Sequence, residues 1–539
     1  MVPSTALPRP RRRTVLHGMA MAAAACVAST RLPAVAASMG NTVAPDIDGA
    51  APRMQGRPLS VTAAAWRAMS RVGYGPTAPL ALALNDLDSA RAWALQQVDA
   101  AWAAAQQPPQ LPAELSGFNA PLPTLFEGAR REREALRQTS ADMAQASDGQ
   151  AAAPMAKRRP FLSDMGPRYF NLAMLQQSAA WRLYSASQPA IENPLLARLT
   201  EFWFNHFNVF AYKGPVRPFV GHYAVNVARA HALGKFEDLL LASARHPAML
   251  FYLDQFQSVA DGTRGRAGQA RGLNENYARE LMELHTLGVD GGYTQADVLA
   301  LARILTGWTV SARDADGFQF LPRLHDNGPK QLLGQNFPRD AGSAGAREGE
   351  DAIRMLASHP STARRVCTRL AQYFICDHPS TELVGQLAAR FLDSQGDLRQ
   401  VMQLLLRTPD FWASENRLFK TPLDFAVSGL MAVQQASGAT PDTPLDRRSI
   451  VLALAFLKDV GQPMHAWQTP DGYRFDAATW MVPEALTRRA DFALALARQT
   501  PEPAFLQPYL SRATRARIAQ SPAPLRAGLA LASPDFMVK

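Results

Sequence analysis

Cysteine is nearly missing from this chain, with three in 539 residues. A disulfide framework is therefore excluded as its source of stability. Lysine is almost as scarce, seven against 49 arginines. No basic run is interleaved with aromatics, so the net charge of +10 does not describe a nucleic-acid surface. Apolar runs of the ~20 residues needed to span a bilayer are lacking, so no transmembrane segment is expected. Alternating apolar and polar runs long enough for a sheet are scarce too. By inspection there is no H-E-x-x-H, G-x-x-x-x-G-K, G-x-S-x-G or paired C-x-x-C. Zincin, P-loop, serine-hydrolase and thiol-redox readings lose ground accordingly.

What is present begins with a leader. "PRPRRRTVLHGMAMAAAACVASTRLPAVAASMG" has an arginine cluster, an apolar run from Gly18 to Ala28, and the small-residue cleavage site Ala34-Val35-Ala36. Arg12-Arg13-Thr14-Val15-Leu16 resembles a twin-arginine signal, which places the mature protein in the periplasm or outside the cell. Cys26, after three alanines, offers lipid anchoring as a rival reading. Five arginines and no acids lie in this leader, which leaves +5 for the remainder. Cys367 and Cys376, nine apart on one expected helix, would stand ~13 Å apart along its axis, too far for a disulfide.

Residues 37–58 read as a polar lead-in with few large apolar side chains. From 59 to 433 the apolar period is overwhelmingly helical, interrupted near 106–160 by proline- and alanine-rich stretches around one short charged helix, "FEGARREREALRQ". "QQASGATPDTP" marks a boundary before a C-terminal helical subdomain at 445–539, packed on the main domain. Apolar helices repeatedly end in a proline that opens the next, as in "LLLASARHPAML", "MLASHPSTA" and "LLLRTPDFW". The irregular spacing argues against a solenoid. The expected fold is all-α, a large multi-helix domain of packed helix pairs with irregular loops and little or no sheet.

Candidate chemistry centres on "NENYARELMELHTLGVDGGYTQADV". At ~100° per residue, Asn276, Arg279, Glu280 and Glu283 share one third of the helix circumference, while Leu281, Leu284 and His285 face the other way. One account makes Arg279 and Glu283 an i,i+4 ion pair on a solvated face and His285 a core histidine. Another notes the Asn274 cap, the terminal Gly288 and the Thr294–Asp297 capping box, which hold the helix rigidly enough to aim two carboxylates into a cleft. In that account Glu280 or Glu283 is a general base and Arg279 holds an anionic group. His206 in "EFWFNHFNVF" and His325 with Asp326 in "LHDNGPKQLLG" are further candidates. His206, His285 and His325 are then ligands for a divalent metal, or proton carriers, with His206 and His325 also readable as core packing and turn formation.

"RVGYGP", "FWFNHFNV", "HALGKFEDLLLASARHPAMLFYLD", the segment above, "ARILTGW", "HDNGPKQLLG", "LLLRTPDFW" and "GQPMHAWQTPDGYRFDAATW" together resemble a large bacterial family catalogued as domain of unknown function 1800, from about Ser60 to Phe536. The resemblance implies a mainly helical exported protein, of a kind often encoded beside another exported protein of phosphatase- or sulfatase-like fold, which is thereby a candidate partner. It carries no catalytic residue across. Members often have a second histidine where Phe204 stands, so a metal bound there would lack a ligand in this chain. The leading expectation is a periplasmic enzyme, metal-assisted, acting on an envelope or extracellular polymer. The alternative is a non-catalytic helical scaffold for an exported partner.

Overall fold

The computed structural model describes residues 60–145, 166–263, 272–337, 344–440, 443 and 446–539. The leader at 1–36, the lead-in, Cys26, the end of the insertion near 106–160 and most of the loop after Asp261 lie outside them. Gly56–Lys539 forms one compact unit. Helices supply nearly all the regular structure, and sheet among the described residues is limited to two hairpins, β1 (Trp308–Val310) with β2 (Phe318–Phe320), and β3 (Lys330–Leu332) with β4 (Gln335–Phe337). The fold is thus mostly all-α. No helix among the described residues is long and apolar enough to cross a membrane.

The proline-opened helices form as their caps dictate. His246 and His359 each precede a proline, adopt extended backbone, and accept through Nδ1 the N–H two residues on, from Ala248 and Ser361 at 3.1 Å. An imidazole thus does the work usually given to Ser, Thr, Asp or Asn. Thr408 caps Pro409–Trp412, and Thr421 builds a capping box with Asp424 at the start of Pro422–Ala436.

Two expectations about length are corrected. The charged segment at 126–138 belongs to a longer helix, Leu122–Gln145, whose Glu127, Arg130 and Glu134 form surface ion pairs and whose alanine-rich tail continues the helix. Cys376 lies beyond the end of Pro360–Phe374, so it does not share a helix with Cys367; both thiols are free.

The C-terminal helices share the core of the rest. Phe425, Phe456 and Phe492 come from Pro422–Ala436, Arg447–Asp459 and Pro483–Leu496; Phe456 stacks on Phe492 at 4.5 Å, and Phe425 meets both at a tilt, at 5.9 and 6.1 Å. Beside them Asp424 joins Arg198 at 2.7 Å and Lys539, all three buried. Further buried cations rest on aromatic faces, Lys420 with its Nζ 3.9 Å from the Phe536 ring centre and Arg489 4.6 Å over Phe419. The ring quadrupoles supply negative potential where carboxylates are few.

Candidate active site

Asn274 caps the motif helix by accepting the Asn276 N–H at 3.0 Å. The helix is α over Glu275–Glu280, then opens into a π turn over Leu281–His285. Thr286 Oγ donates to the Leu281 carbonyl five residues back, at 2.7 Å. Gly288 stops the helix with φ of 90°, a left-handed conformation that glycine adopts without steric penalty. Thr294 and Asp297 then start Gln295–Ile304 with the expected capping box. Tyr277, Ala278, Leu281, Met282 and His285 point inward; Arg279, Glu280 and Glu283 are half-buried. Arg279 lies 3.6 Å from both Glu275 and Glu283 and donates to Gln295 at 2.8 Å. Glu280 has no hydrogen-bond or ion-pair partner among the described residues.

The facing wall is the loop at 461–476, held down by the helix Pro194–His206. Asn205 takes the Tyr473 N–H at 2.7 Å and gives its own amide hydrogen to the Tyr473 carbonyl at 2.9 Å. Asn208 Nδ2 donates to the carbonyls of Trp467 and Thr469. Gly472, φ 71°, runs so close to Asn205 that a Cβ would sit 2.1 Å from its carbonyl oxygen. Tyr252 Oη donates to the Gln468 carbonyl at 2.7 Å. These clamps fix Asp471, whose Oδ1 accepts from Trp467 Nε1 at 3.1 Å. A third wall is Pro360–Phe374, which supplies Arg365 and Arg369; Arg365 Nε donates to the Leu284 carbonyl at 2.9 Å.

The electrostatics of this cleft concentrate on Glu280. Burial raises its pKa, the Glu283 carboxylate raises it further, and Asp471 adds to the same effect against the opposing pull of Arg279. Tyr293, opposite Glu283, is pushed up to about 12 by burial and by its hydrogen bond to that carboxylate. Arg369 is drawn down to about 10 by burial and by Arg365 beside it.

Behind the loop lies a partly open cavity lined by Arg182, Glu201, Phe204, Tyr373 and His465, among others. Arg182 grips Glu201 with a two-pronged pair, both residues buried. Arg182 Nη1 also donates to His465 Nδ1 at 3.1 Å, so the imidazole carries its hydrogen on Nε2 and gives it to Ser178 Oγ at 3.1 Å. Ser178 in turn donates to the Leu175 carbonyl. The proton flow is the reverse of an activated serine, whose hydroxyl must donate to the imidazole.

A family model described as protein of unknown function (DUF1800) matches residues 67–538. The chain belongs to that family. No curated protein and no solved structure matches it. Every residue of the cleft and the cavity falls inside the DUF1800 match.

Within this DUF1800 domain the residues expected to form a site separate into two places. His206 and the motif helix do meet: His206 Nε2 lies 3.1 Å from the His285 carbonyl, and the two imidazoles stand 6.5 Å apart. Both are buried and kept neutral by burial, His285 being drawn down to about 3. His325 and Asp326 are elsewhere. His325 Nδ1 donates to the Thr306 carbonyl at 2.9 Å and its Nε2 faces Glu348 at 2.8 Å, while buried Lys330 holds the same carboxylate through both oxygens at 2.9 Å. Asp326 pairs with Arg303 at 2.6 Å and accepts the Gly328 N–H. That cluster fastens β3 and its loop to Gly345–Ala357. His206, His285 and His325 therefore do not converge, and no three His, Cys, Asp or Glu side chains among the described residues form a group that could hold a metal.

Asp471, Tyr252, Arg365 and Arg369 complete the cleft without having been singled out in the sequence. "TARRVCTRL" does space Arg365 and Arg369 four apart on one face, and Asp471 sits in the aromatic- and glycine-rich "AWQTPDGYRF".

Proposed function

We propose that this protein is an exported hydrolase acting on an envelope or extracellular polymer, with Glu280 as general acid and Glu283 or Asp471 as the carboxylate that activates water. The observation that carries this reading is Glu280 itself, a half-buried carboxyl with no protein partner, facing carboxylates from its own helix and from a loop 190 residues away in sequence. A carboxyl in such company keeps its proton to higher pH than usual, as a general acid must. The leader and the twin-arginine pattern supply the address. Arg279, tied between Glu275 and Glu283, positions Glu283.

The test is hydrolysis of cell-envelope and secreted polysaccharides by the purified mature protein, followed as new reducing ends. Glu280→Gln, folded as judged by circular dichroism, is expected to lose about 100-fold or more in kcat. Wild-type protein without turnover across the panel, or a fully active Glu280→Gln, would end the reading. A stoichiometric exported partner recovered without any turnover would favour the scaffold instead.

A further inference from the structure

The geometry points to an oxyanion seat formed by Arg365 and Arg369 on the helix Pro360–Phe374, made to hold a sulfate, phosphate or carboxylate group. Three observations carry it. First, neither guanidinium forms an ion pair among the described residues, unlike buried Arg182 with Glu201 and Arg198 with Asp424. Second, Arg369 Nε and Nη2 are out of water and have no hydrogen-bond partner. The Phe475 ring lies 5.3 Å from its guanidinium carbon. Third, the two arginines lie four apart on Pro360–Phe374, where like charges repel unless something of opposite sign lies between them.

A buried donor without a partner is costly, and more so when charged. The stacked phenylalanine offsets part of this at Arg369. An oxyanion would satisfy the rest, because a guanidinium fork matches the spacing of oxygens on carboxylate, phosphate or sulfate. Asp471 lies within electrostatic reach of Arg369 but makes no bond to it, so the fork is left open. Phe475 fixes the guanidinium plane, and the Leu284 carbonyl fixes Arg365 by its Nε, leaving the terminal nitrogens of Arg365 to the ligand. The seat deepens the hydrolase reading by making the polymer an anionic one, and it rests on that reading only for the identity of the polymer.

Inorganic sulfate binding to the mature protein, measured by titration calorimetry at constant ionic strength set with chloride, tests it. Wild type should bind saturably. Arg369→Gln and Arg365→Gln should each weaken binding about tenfold or more, and Glu280→Gln should keep it. Polygalacturonate or dextran sulfate should displace sulfate, and uncharged dextran should not; which of the two polymers competes better tells a carboxylate ligand from a sulfate one. No saturable binding by wild type, unchanged binding in both folded arginine variants, or equal displacement by uncharged dextran would overturn the seat. Sulfate binding lost in Arg369→Gln, in a protein that hydrolyses nothing, would keep the seat and remove the hydrolase.

Discussion

Asn205 holds the backbone of Tyr473 with both ends of its side-chain amide, accepting at 2.7 Å and donating at 2.9 Å, across 268 residues of sequence. The amide imitates a strand partner for a single residue of a loop that has no strand to pair with. Because Gly472 lets the two backbones approach, the contact depends on the absence of a side chain as much as on the presence of one.

Gly472→Ala should therefore destabilise the protein by about 2–4 kcal/mol, from a left-handed backbone combined with a collision against a carbonyl oxygen. Asn205→Asp, nearly the same shape, loses the donor and sets a carboxylate against the Tyr473 carbonyl. Denaturant unfolding checks both, and both should lower turnover further than stability alone explains, since Asp471 is positioned by this contact.

The pH profile separates Glu280 from its neighbours. Loss of its proton ends its role as acid, so kcat should fall on the alkaline side at the raised pKa of this group. Removing the Asp471 charge in Asp471→Asn removes one cause of that elevation, and the alkaline limb should move to lower pH. A limb that stays put would mean that another group sets it.

Asp424 is the buried carboxylate on which Arg198 and Lys539 converge. Asp424→Asn should cost about 3–5 kcal/mol, because two desolvated cations would be left without their anion. Burial pushes this carboxyl up, but Arg198 and Lys539 more than offset it and hold it well below the usual range. Its contribution is complete above the ordinary carboxylate pKa and is lost only as pH falls far below that. Urea midpoints for wild type and variant should therefore differ fully at pH 7.

Several histidines resist protonation in the fold. His222 Nδ1 meets His246 Nε2 at 3.0 Å, and burial draws His222 down to about 4 and His246 well below its ordinary value. The unfolded chain takes up these protons first, near pH 6.5, so stability should be full above that pH and decline toward pH 4. The slope is about 1.4 kcal/mol per pH unit for each histidine that titrates only on unfolding. Denaturant unfolding across this range measures it, and His222→Gln should make it shallower.

Glu348→Gln should destabilise by about 2–4 kcal/mol, since buried Lys330 loses its counter-charge. Turnover per folded molecule should stay at the wild-type level. A selective loss of turnover would return His325 and Asp326 to the catalytic set.

Local features were legible in the chain. The Asn274 cap, the Thr294–Asp297 box, the proline openings and the all-helical class follow from rules that act within four residues, and each is present in the fold. The inward turn of His285 was legible for the same reason. The approach of Asp471 to Glu280 was not, because it depends on a loop clamp built from Asn205, Asn208 and Gly472, none of which signals its partner by spacing. Nor was the isolation of His325: a histidine beside an aspartate in a glycine-rich loop reads the same whether its imidazole meets a substrate or, as here, the side chain of Glu348 from another helix. The lack of partners at Arg369 is a fact about space alone.

The π turn over Leu281–His285 has a genetic consequence. Such a turn is an ordinary helix carrying one surplus residue. Deleting a single codon from this stretch, as from the other π turn at Ala224–Arg229, would rewind it while keeping both flanks in register, so the hydrophobic interior would survive a frame-preserving loss that a regular α-helix would not. What would change here is the offset between positions 280 and 283, so shortening the gene at this place would edit the cleft and spare the architecture.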